Sequence, residues 1–272
     1  MSKQAELDEL LRKLSLDYGK LNDKQVTFAI KEIGRIRGDI SDLLADFATA
    51  DGTIKRQRLS RLLRELNDIE DLMRKYGTSS IEGIVLESAG FATAGINGAV
   101  KTAVGAGAIA GATLERINRN VFDYVMRRYG EDGLVLSDRV WRLSGDMRDE
   151  LSKVLRADII RGESVSTMIA NIRRVHENET WKIRRLVVTE GNTAYRVGSA
   201  HSAKRSDVVQ WVKITDNGHR HKGHSTHRCY QLAREDRYGQ GAGIYDPMDS
   251  EIYSPHPGCS SYITYVLDER YL

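Results

Sequence analysis

The chain has 272 residues, of which 40% are hydrophobic and 29% are charged, so its composition excludes a disordered or a fibrous protein. Lysine and arginine outnumber aspartate and glutamate by 41 to 38, a balance too small to hold a polyanion by bulk electrostatics. Two cysteines are too few for a disulfide scaffold, and only three prolines in a chain rich in alanine, leucine and arginine favour helices.

Two sets of apolar residues near the start of the chain follow the spacing of one helical face. They are Leu7, Leu10, Leu11 and Leu14, followed by Leu59, Leu62, Leu63, Leu66, Ile69 and Met73. Turn-forming residues from Ala48 to Thr53 separate the two sets, so residues 1 to about 76 are predicted to be helices packed as hairpins. The start is charged and amphipathic rather than a secretory signal, so we expect the chain to fold in the cytosol.

Glycine and alanine dominate the segment from Ser88 to Ala112, and its small residues repeat every four positions: Gly95, Ala99, Ala103, Gly107 and Gly111. Because small residues at this spacing serve helix association in lipid, a membrane-active segment is one hypothesis. Lys101 divides the stretch, however, and the uncharged runs on either side are shorter than the roughly 18 residues of a span. The favoured interpretation is a helix over 88–112 that packs tightly against other protein.

Several helical stretches follow. One face over Leu114–Val125 ends at Gly130–Gly133, and Ser137 is predicted to cap a helix that stops near Arg161–Gly162. A short helix is predicted to restart at Ser164, and another covers Trp181–Arg196.

Two segments rich in β-branched and aromatic residues are predicted to be strands: Val208–Ile214 and Ser261–Val266. We therefore predict a mainly α protein with a long helical N-terminal and middle region and a small α+β, zinc-knuckle-like C-terminal domain. The predicted boundaries are 1–113 for a helical region with the glycine-rich helix, 114–205 for a second helical part and 206–272 for the small domain.

The segment between the two predicted strands holds five of the seven histidines and both cysteines. Zn²⁺ prefers four tetrahedral nitrogen or sulfur ligands, and the spacing of His256 and Cys259 lets both converge from one turn. We expect these two residues and Cys229 to bind a structural zinc ion, with one histidine as the fourth ligand: His227, His224 or His221. Residues 234–250 offer few obvious core residues, so a metal that closes this loop can order it. The alternative interpretation is a polar surface loop with incidental histidines and two buried free cysteines.

A series of motifs over residues 137 to 268 resembles the Mu F-like phage head morphogenesis proteins, also called minor head or minor capsid proteins. The series is Leu136–Trp141, Ile160–Ser164, Thr189 with Glu190, Trp211 with Asp216, Cys229–Leu232, Gly239–Tyr245 and Pro255–Cys259. The chain departs from the family pattern at Val188, where the family often has arginine, and at Thr226, where it often has the first cysteine of a Cys-x-x-Cys pair.

The resemblance implies a metal-binding knuckle at Cys229, His256 and Cys259. It also implies a low-copy structural protein of a tailed-phage head, bound at or near the portal and acting in head assembly, DNA packaging or DNA release. The implied partners are the portal, other head proteins and packaged DNA. The implied location is the virion, with the host cytoplasm during assembly.

Three alternatives to a structural head protein stay open at this stage. The first is a metal-dependent nuclease or nucleic-acid-binding module, in which one of the histidines activates water while Arg220, Lys222 and Arg228 hold a phosphate backbone. The second is a membrane-active protein ejected with the DNA. The third is catalysis at Thr189 and Glu190, although a hydroxyl and a carboxylate on one helix more often make interhelical hydrogen bonds. We expect no enzymatic activity.

Overall fold

The computed structural model describes residues 2–105, 107–216 and 224–272, and 72% of the protein is helical. The helices are α1 (Lys3–Ile33), α2 (Ile36–Phe47), α3 (Leu59–Val104), α4 (Gly111–Arg127), α5 (Leu136–Arg161), α6 (Val165–Arg205) and α7 (Arg228–Leu232). The strands are β1 (Val209–Thr215), β2 (Ile244–Tyr245) and β3 (Tyr262–Leu267). The prediction of a mainly helical chain with a small α+β C-terminal part is confirmed.

The chain forms two compact units, and each is built from segments that are distant in sequence. The first unit comprises Met1–Gln25, Glu82–Asp132 and Arg185–Leu272, and the second comprises Val26–Ile81 and Gly133–Arg184. Helices α1, α3 and α6 contribute residues to both units. The C-terminal sheet therefore belongs to the same unit as the glycine-rich part of α3.

In the first unit, the small residues of α3 allow α6 to approach closely. Ala89, Ala92, Ala99 and Ala103 are buried, and a Cβ atom added to Gly198 of α6 would lie 3.2 Å from the Cβ of Ala92. The interpretation of this segment as a helix packed tightly against protein is confirmed as far as Val104. Within the described residues, no helix is both long enough and apolar enough to cross a membrane.

The predicted helix over 88–112 is wrong after Val104, because the backbone breaks between α3 and α4. Gly105 and Gly107 have φ angles of 73° and 74°, in the left-handed region that favours glycine. The side-chain amide of Asn97 compensates for the break, since its Oδ1 accepts from the Ile109 N–H at 2.7 Å and its Nδ2 donates to the Ile109 carbonyl at 3.2 Å. Gly111 therefore starts a new helix instead of continuing the stripe of small residues.

Two further predictions about helix ends are wrong. Helix α5 begins at Leu136 with Val135 in the N-cap position, so Ser137 lies inside the first turn and does not cap it. The two helices predicted over 164–196 form one continuous helix, α6, because no residue in this stretch breaks the hydrogen-bond ladder. The C-terminal end of α5 is as predicted: Gly162 adopts a φ of 75° and its N–H bonds to the carbonyls of Asp158 and Ile159.

The sheet is antiparallel with strand order β2-β1-β3. Val212 of β1 pairs with Tyr245 on one side and with Tyr265 on the other, and all three side chains are buried. Gln4 of α1 forms hydrogen bonds with two backbone groups of β3. Its Nε2 donates to the Tyr265 carbonyl at 2.7 Å, and its Oε1 accepts from the Leu267 N–H at 2.9 Å. The two strands predicted from sequence are present within one residue of their expected bounds, whereas the two-residue β2 was not predicted.

In the second unit, a buried histidine lies beside the break between α1 and α2. His176 is 4% exposed, and neither of its ring nitrogens has a hydrogen-bond partner among the described residues. A Cβ added to Gly34 would lie 3.1 Å from the imidazole, so glycine makes room for the ring. Burial lowers the pKa of His176, and the positive charge of Arg37 adds to this effect while Glu177 opposes it.

This arrangement predicts that the free energy of unfolding decreases as the pH falls below about 6.5, the pKa of histidine in an unfolded chain. The unfolded state then binds a proton that the buried imidazole accepts only at lower pH. His176→Leu removes the titrating group and should flatten the dependence between pH 7 and pH 5, as measured by urea unfolding. Parallel pH profiles for the two proteins would contradict this assignment.

Candidate metal centre

Three ligand side chains converge next to the C-terminal sheet. His227 precedes α7, Cys229 lies in its first turn, and His256 comes from a turn that follows a short 3₁₀ helix. The ligand atoms of these residues all lie within 4.8 Å of one another. Cys229 Sγ is 3.1 Å from His256 Nε2, although the two residues are 27 positions apart. This cluster can hold a metal ion.

The His256 ring is oriented by its own turn. Its Nδ1 lies 3.0 Å from the Pro257 carbonyl oxygen, which can only accept, so in this contact Nδ1 carries the proton and Nε2 is free to act as a ligand. The turn closes with a hydrogen bond from the Cys259 N–H to the His256 carbonyl, and Gly258 takes a φ of 70°. A histidine that donates its second ring nitrogen to a carbonyl is the usual form of a histidine metal ligand.

Cys259, the third residue of the predicted set, is fully buried but lies outside the group of atoms that are all within 4.8 Å. Its thiol interacts with Cys229 and His256, and its Sγ lies 3.0 Å from Ser261 Oγ. The hydrogen bond with Cys229 lowers the pKa of Cys259, and the positive charge of Arg196 acts in the same direction. The same hydrogen bond raises the pKa of Cys229.

Of the three histidines predicted as the fourth ligand, His227 is the one that the described residues place in the cluster. Its ring centroid is 4.7 Å from that of His256. His221 lies outside the described residues, and so does the side chain of His224. Two imidazoles and a thiol, with a second thiol beside them, are donors that suit Zn²⁺ better than the oxygen-preferring Mg²⁺ or Ca²⁺.

Arg196 of α6 holds the turn that carries His256 and Cys259. Its side chain is 1% exposed, and it donates from Nε to the Tyr253 carbonyl at 2.8 Å and from Nη1 to the carbonyls of Cys259 and Ser261, both at 3.0 Å. Sequence reasoning missed this residue. The one available signal was a charged side chain within a run of small, apolar and uncharged polar residues from Asn192 to Ala200.

Thr189 and Glu190 make hydrogen bonds to other elements of the structure, which is the more common role of a hydroxyl and a carboxylate on one helix. Thr189 Oγ1 accepts from the Gly258 N–H at 2.9 Å and donates to the Arg185 carbonyl at 2.6 Å. Glu190 is fully buried and accepts from Nη2 of Arg128, just beyond α4, at 2.9 and 3.1 Å. One residue therefore fixes the ligand turn, and the other fixes α6 to the end of α4.

The two other motif residues lie outside the cluster of ligand atoms. The Trp211 ring packs against Tyr238, with centroids 5.6 Å apart. Asp216 accepts from Arg234, whose guanidinium covers the ring of Tyr230 at 3.4 Å from its centroid. These contacts connect β1 and the residue that follows it to α7 and the loop after it.

The loop between α7 and β3 has more internal support than its sequence predicts. Tyr245 and Tyr253 are buried, and their hydroxyls donate to the carbonyls of Leu232 and Pro247. Arg237 forms ion pairs with Asp249 at 3.0 Å and with Glu251 at 3.1 Å. Of residues 234–250, the hydrophobic core includes Tyr245, which the sheet buries at the β1–β2 pairing, in line with the expectation that this stretch contributes few core residues.

The basic residues predicted to hold a phosphate backbone give that hypothesis no support. Arg228 forms ion pairs with Glu251 and with Glu235, so carboxylates already occupy its guanidinium. Arg220 and Lys222 lie outside the described residues.

Comparison with protein-family models, with curated proteins and with solved structures finds no match for this chain.

The ion pair between Arg128 and Glu190 predicts a large effect of Glu190→Gln. The substitution leaves a nearly buried guanidinium without a negative partner, which should lower the free energy of unfolding by about 3–5 kcal/mol. Chemical denaturation provides the measurement, and Glu177→Gln, at an exposed position of the same helix, should change it by less than about 0.5 kcal/mol. Equal stability of Glu190→Gln and the wild-type protein would show that the ion pair is not structural.

Proposed function

We propose that this protein is a structural minor head protein of a tailed phage, bound at or near the portal, in which a zinc ion holds the C-terminal unit together. The observation that carries the proposal is the convergence of His227, Cys229 and His256 within 4.8 Å, with Cys259 beside them. Three of these four residues occur in the motifs on which the resemblance to the Mu F-like proteins rests. The motif residue Thr189 supports the same turn by binding Gly258.

The burial of the two thiols favours a structural over a catalytic metal. Cys229 is 4% exposed and Cys259 is fully buried, so a metal bound to both thiols would be withdrawn from solvent. Four protein ligands leave no coordination position for a water molecule, whereas a hydrolytic zinc site keeps one open. The protein is therefore proposed to have no enzymatic activity, and the metal-dependent nuclease is the less favoured function.

The Cys229 and His256 pair also has the separation of a thiol nucleophile and its base. A nucleophile must reach a substrate, and the burial of Cys229 denies that access. The second thiol, that of Cys259, is a further reason to prefer a metal site, because a nucleophile and its base do not require one.

The proposed partners are the portal and other head proteins, with packaged DNA as a further contact during packaging or release. The protein would then occur in the virion and, during assembly, in the host cytoplasm.

The direct test of this function is to locate the protein in purified particles of the virus that encodes it. We expect quantitative mass spectrometry to find it in DNA-filled heads, in far fewer copies than the major capsid protein and in amounts proportional to the portal. The non-structural proteins of the same infection provide the negative control. Absence from particles and from their assembly intermediates would overturn the proposal.

The metal has its own prediction. The purified protein should contain one zinc ion per chain, and Cys229→Ser and Cys259→Ser should each lose it, whereas His176→Leu, outside the site, should retain it. Chelation should lower Tm, since a loss of about 2 kcal/mol corresponds to roughly 4–8 °C in a chain of this size. Elemental analysis and calorimetry provide the measurements. Full zinc content in both cysteine variants would contradict the ligand assignment.

A further inference from the structure

One face of α6 contacts the ligand turn at two points that are two helical turns apart. Thr189 and Arg196 are separated by seven residues, so both point to the same side of the helix. Thr189 receives the N–H of Gly258, and Arg196 binds the carbonyls of Tyr253, Cys259 and Ser261. Four backbone groups between residues 253 and 261 are therefore tied to one rigid element.

These four backbone groups bracket the two metal-binding residues of the turn. Tyr253 lies three residues before His256, Gly258 lies between the two ligands, and the Cys259 carbonyl belongs to a ligand itself. The contacts of α6 therefore restrain the backbone of the segment from which the imidazole of His256 and the thiol of Cys259 project.

Arg196 is suited to this role by its planar guanidinium. Its Nε and Nη1 donate to three carbonyls at 2.8–3.0 Å, which a lysine ammonium cannot reproduce with the same directions. Burial of a guanidinium costs free energy, and its three carbonyl acceptors together with the neighbouring Cys259 thiol offset part of this cost. Burial also lowers the pKa of Arg196, because it disfavours the charged guanidinium. A site that only needed to fill space would have an apolar side chain here.

We propose that Arg196 and Thr189 are positioning residues of the metal centre, which hold the His256–Cys259 turn in the conformation that binds zinc. This inference rests on the zinc centre of the proposed function. Supporting residues of this kind typically contribute 10-fold to 100-fold to metal affinity.

The test is the zinc affinity of four variants, measured by competition with a chromogenic chelator. Thr189→Val removes only the hydroxyl, so it should weaken zinc binding at least 10-fold with a small change of Tm. Arg196→Met and Arg196→Lys should both weaken it 10-fold to 100-fold, because Lys keeps the charge and loses the guanidinium geometry. Arg185→Met, at an exposed position of the same helix, is the matched control and should bind zinc as the wild-type protein does.

Cobalt provides a readout that a general loss of stability would not produce. The visible absorption of bound Co²⁺ depends on the geometry of its thiolate ligands, and we expect the folded Thr189→Val protein to give an altered spectrum while Arg185→Met gives the wild-type spectrum. If the arginine variants fail to fold, Thr189→Val decides the question alone.

The outcomes separate the two proposals. If Thr189→Val and the folded arginine variants bind zinc with the affinity of the wild-type protein, the positioning role is overturned and the zinc centre stays intact. If Arg196→Lys binds zinc with wild-type affinity while the other test variants bind it more weakly, Arg196 supplies charge and not hydrogen-bond geometry. This result also overturns the proposal. Wild-type protein that binds no zinc would overturn the metal centre and the positioning role with it.

Discussion

A guanidinium buried among backbone carbonyls holds the C-terminal turn of this protein, residues 253–261, to helix α6. Arg196 reaches residues 57 to 65 positions further along the chain. Because each carbonyl would be left without a partner if the side chain were removed, the contact couples the conformation of the whole 253–261 segment to the helix. The geometry of His256 and Cys259 depends on this coupling before any metal is considered.

Helix α6 is the element on which the first unit is assembled. It approaches α3 closely at Gly198 and forms an ion pair through Glu190 with Arg128, which follows α4. The Ser199 carbonyl of α6 also accepts a hydrogen bond from the Tyr265 hydroxyl of β3. The same helix thus contacts a packed helix, a buried ion pair, the sheet and the ligand turn. A rigid helix is a better support for a ligand cluster than a loop, because its side chains keep fixed distances along the axis.

Local patterns in the sequence predict the elements well, and long-range contacts explain what they miss. Apolar periodicity and β-branched residues are local signals, so the helices and the strands around Trp211 and Tyr265 are found within a few residues. The break after Val104 was missed because it depends on glycines in left-handed conformations and on the Asn97 side chain, neither of which a small-residue stripe reveals. Conversely, the helical face that ends near residue 76 and the start of the glycine-rich helix predicted from residue 88 belong to one helix, α3.

The same distinction applies to the candidate site. The clustering of histidine and cysteine in one segment was enough to single out Cys229 and His256 and to leave His227 as one of three histidines for a further position, because side-chain type narrows the candidates for a metal site. The supporting residues could not be identified in this way: Arg196 and Arg128 bind partners more than 55 positions away, and nothing in their immediate sequence indicates which carbonyls or carboxylate they meet. Their roles follow from the tertiary structure.

X-ray absorption at the zinc edge of the purified protein tests most directly whether these side chains surround one ion. We predict a first shell of two sulfur atoms at about 2.3 Å and two nitrogen atoms at about 2.0 Å, the shell that two cysteines and two histidines would give. A shell made only of oxygen and nitrogen, without sulfur, would show that the thiols do not bind the metal and would contradict the account.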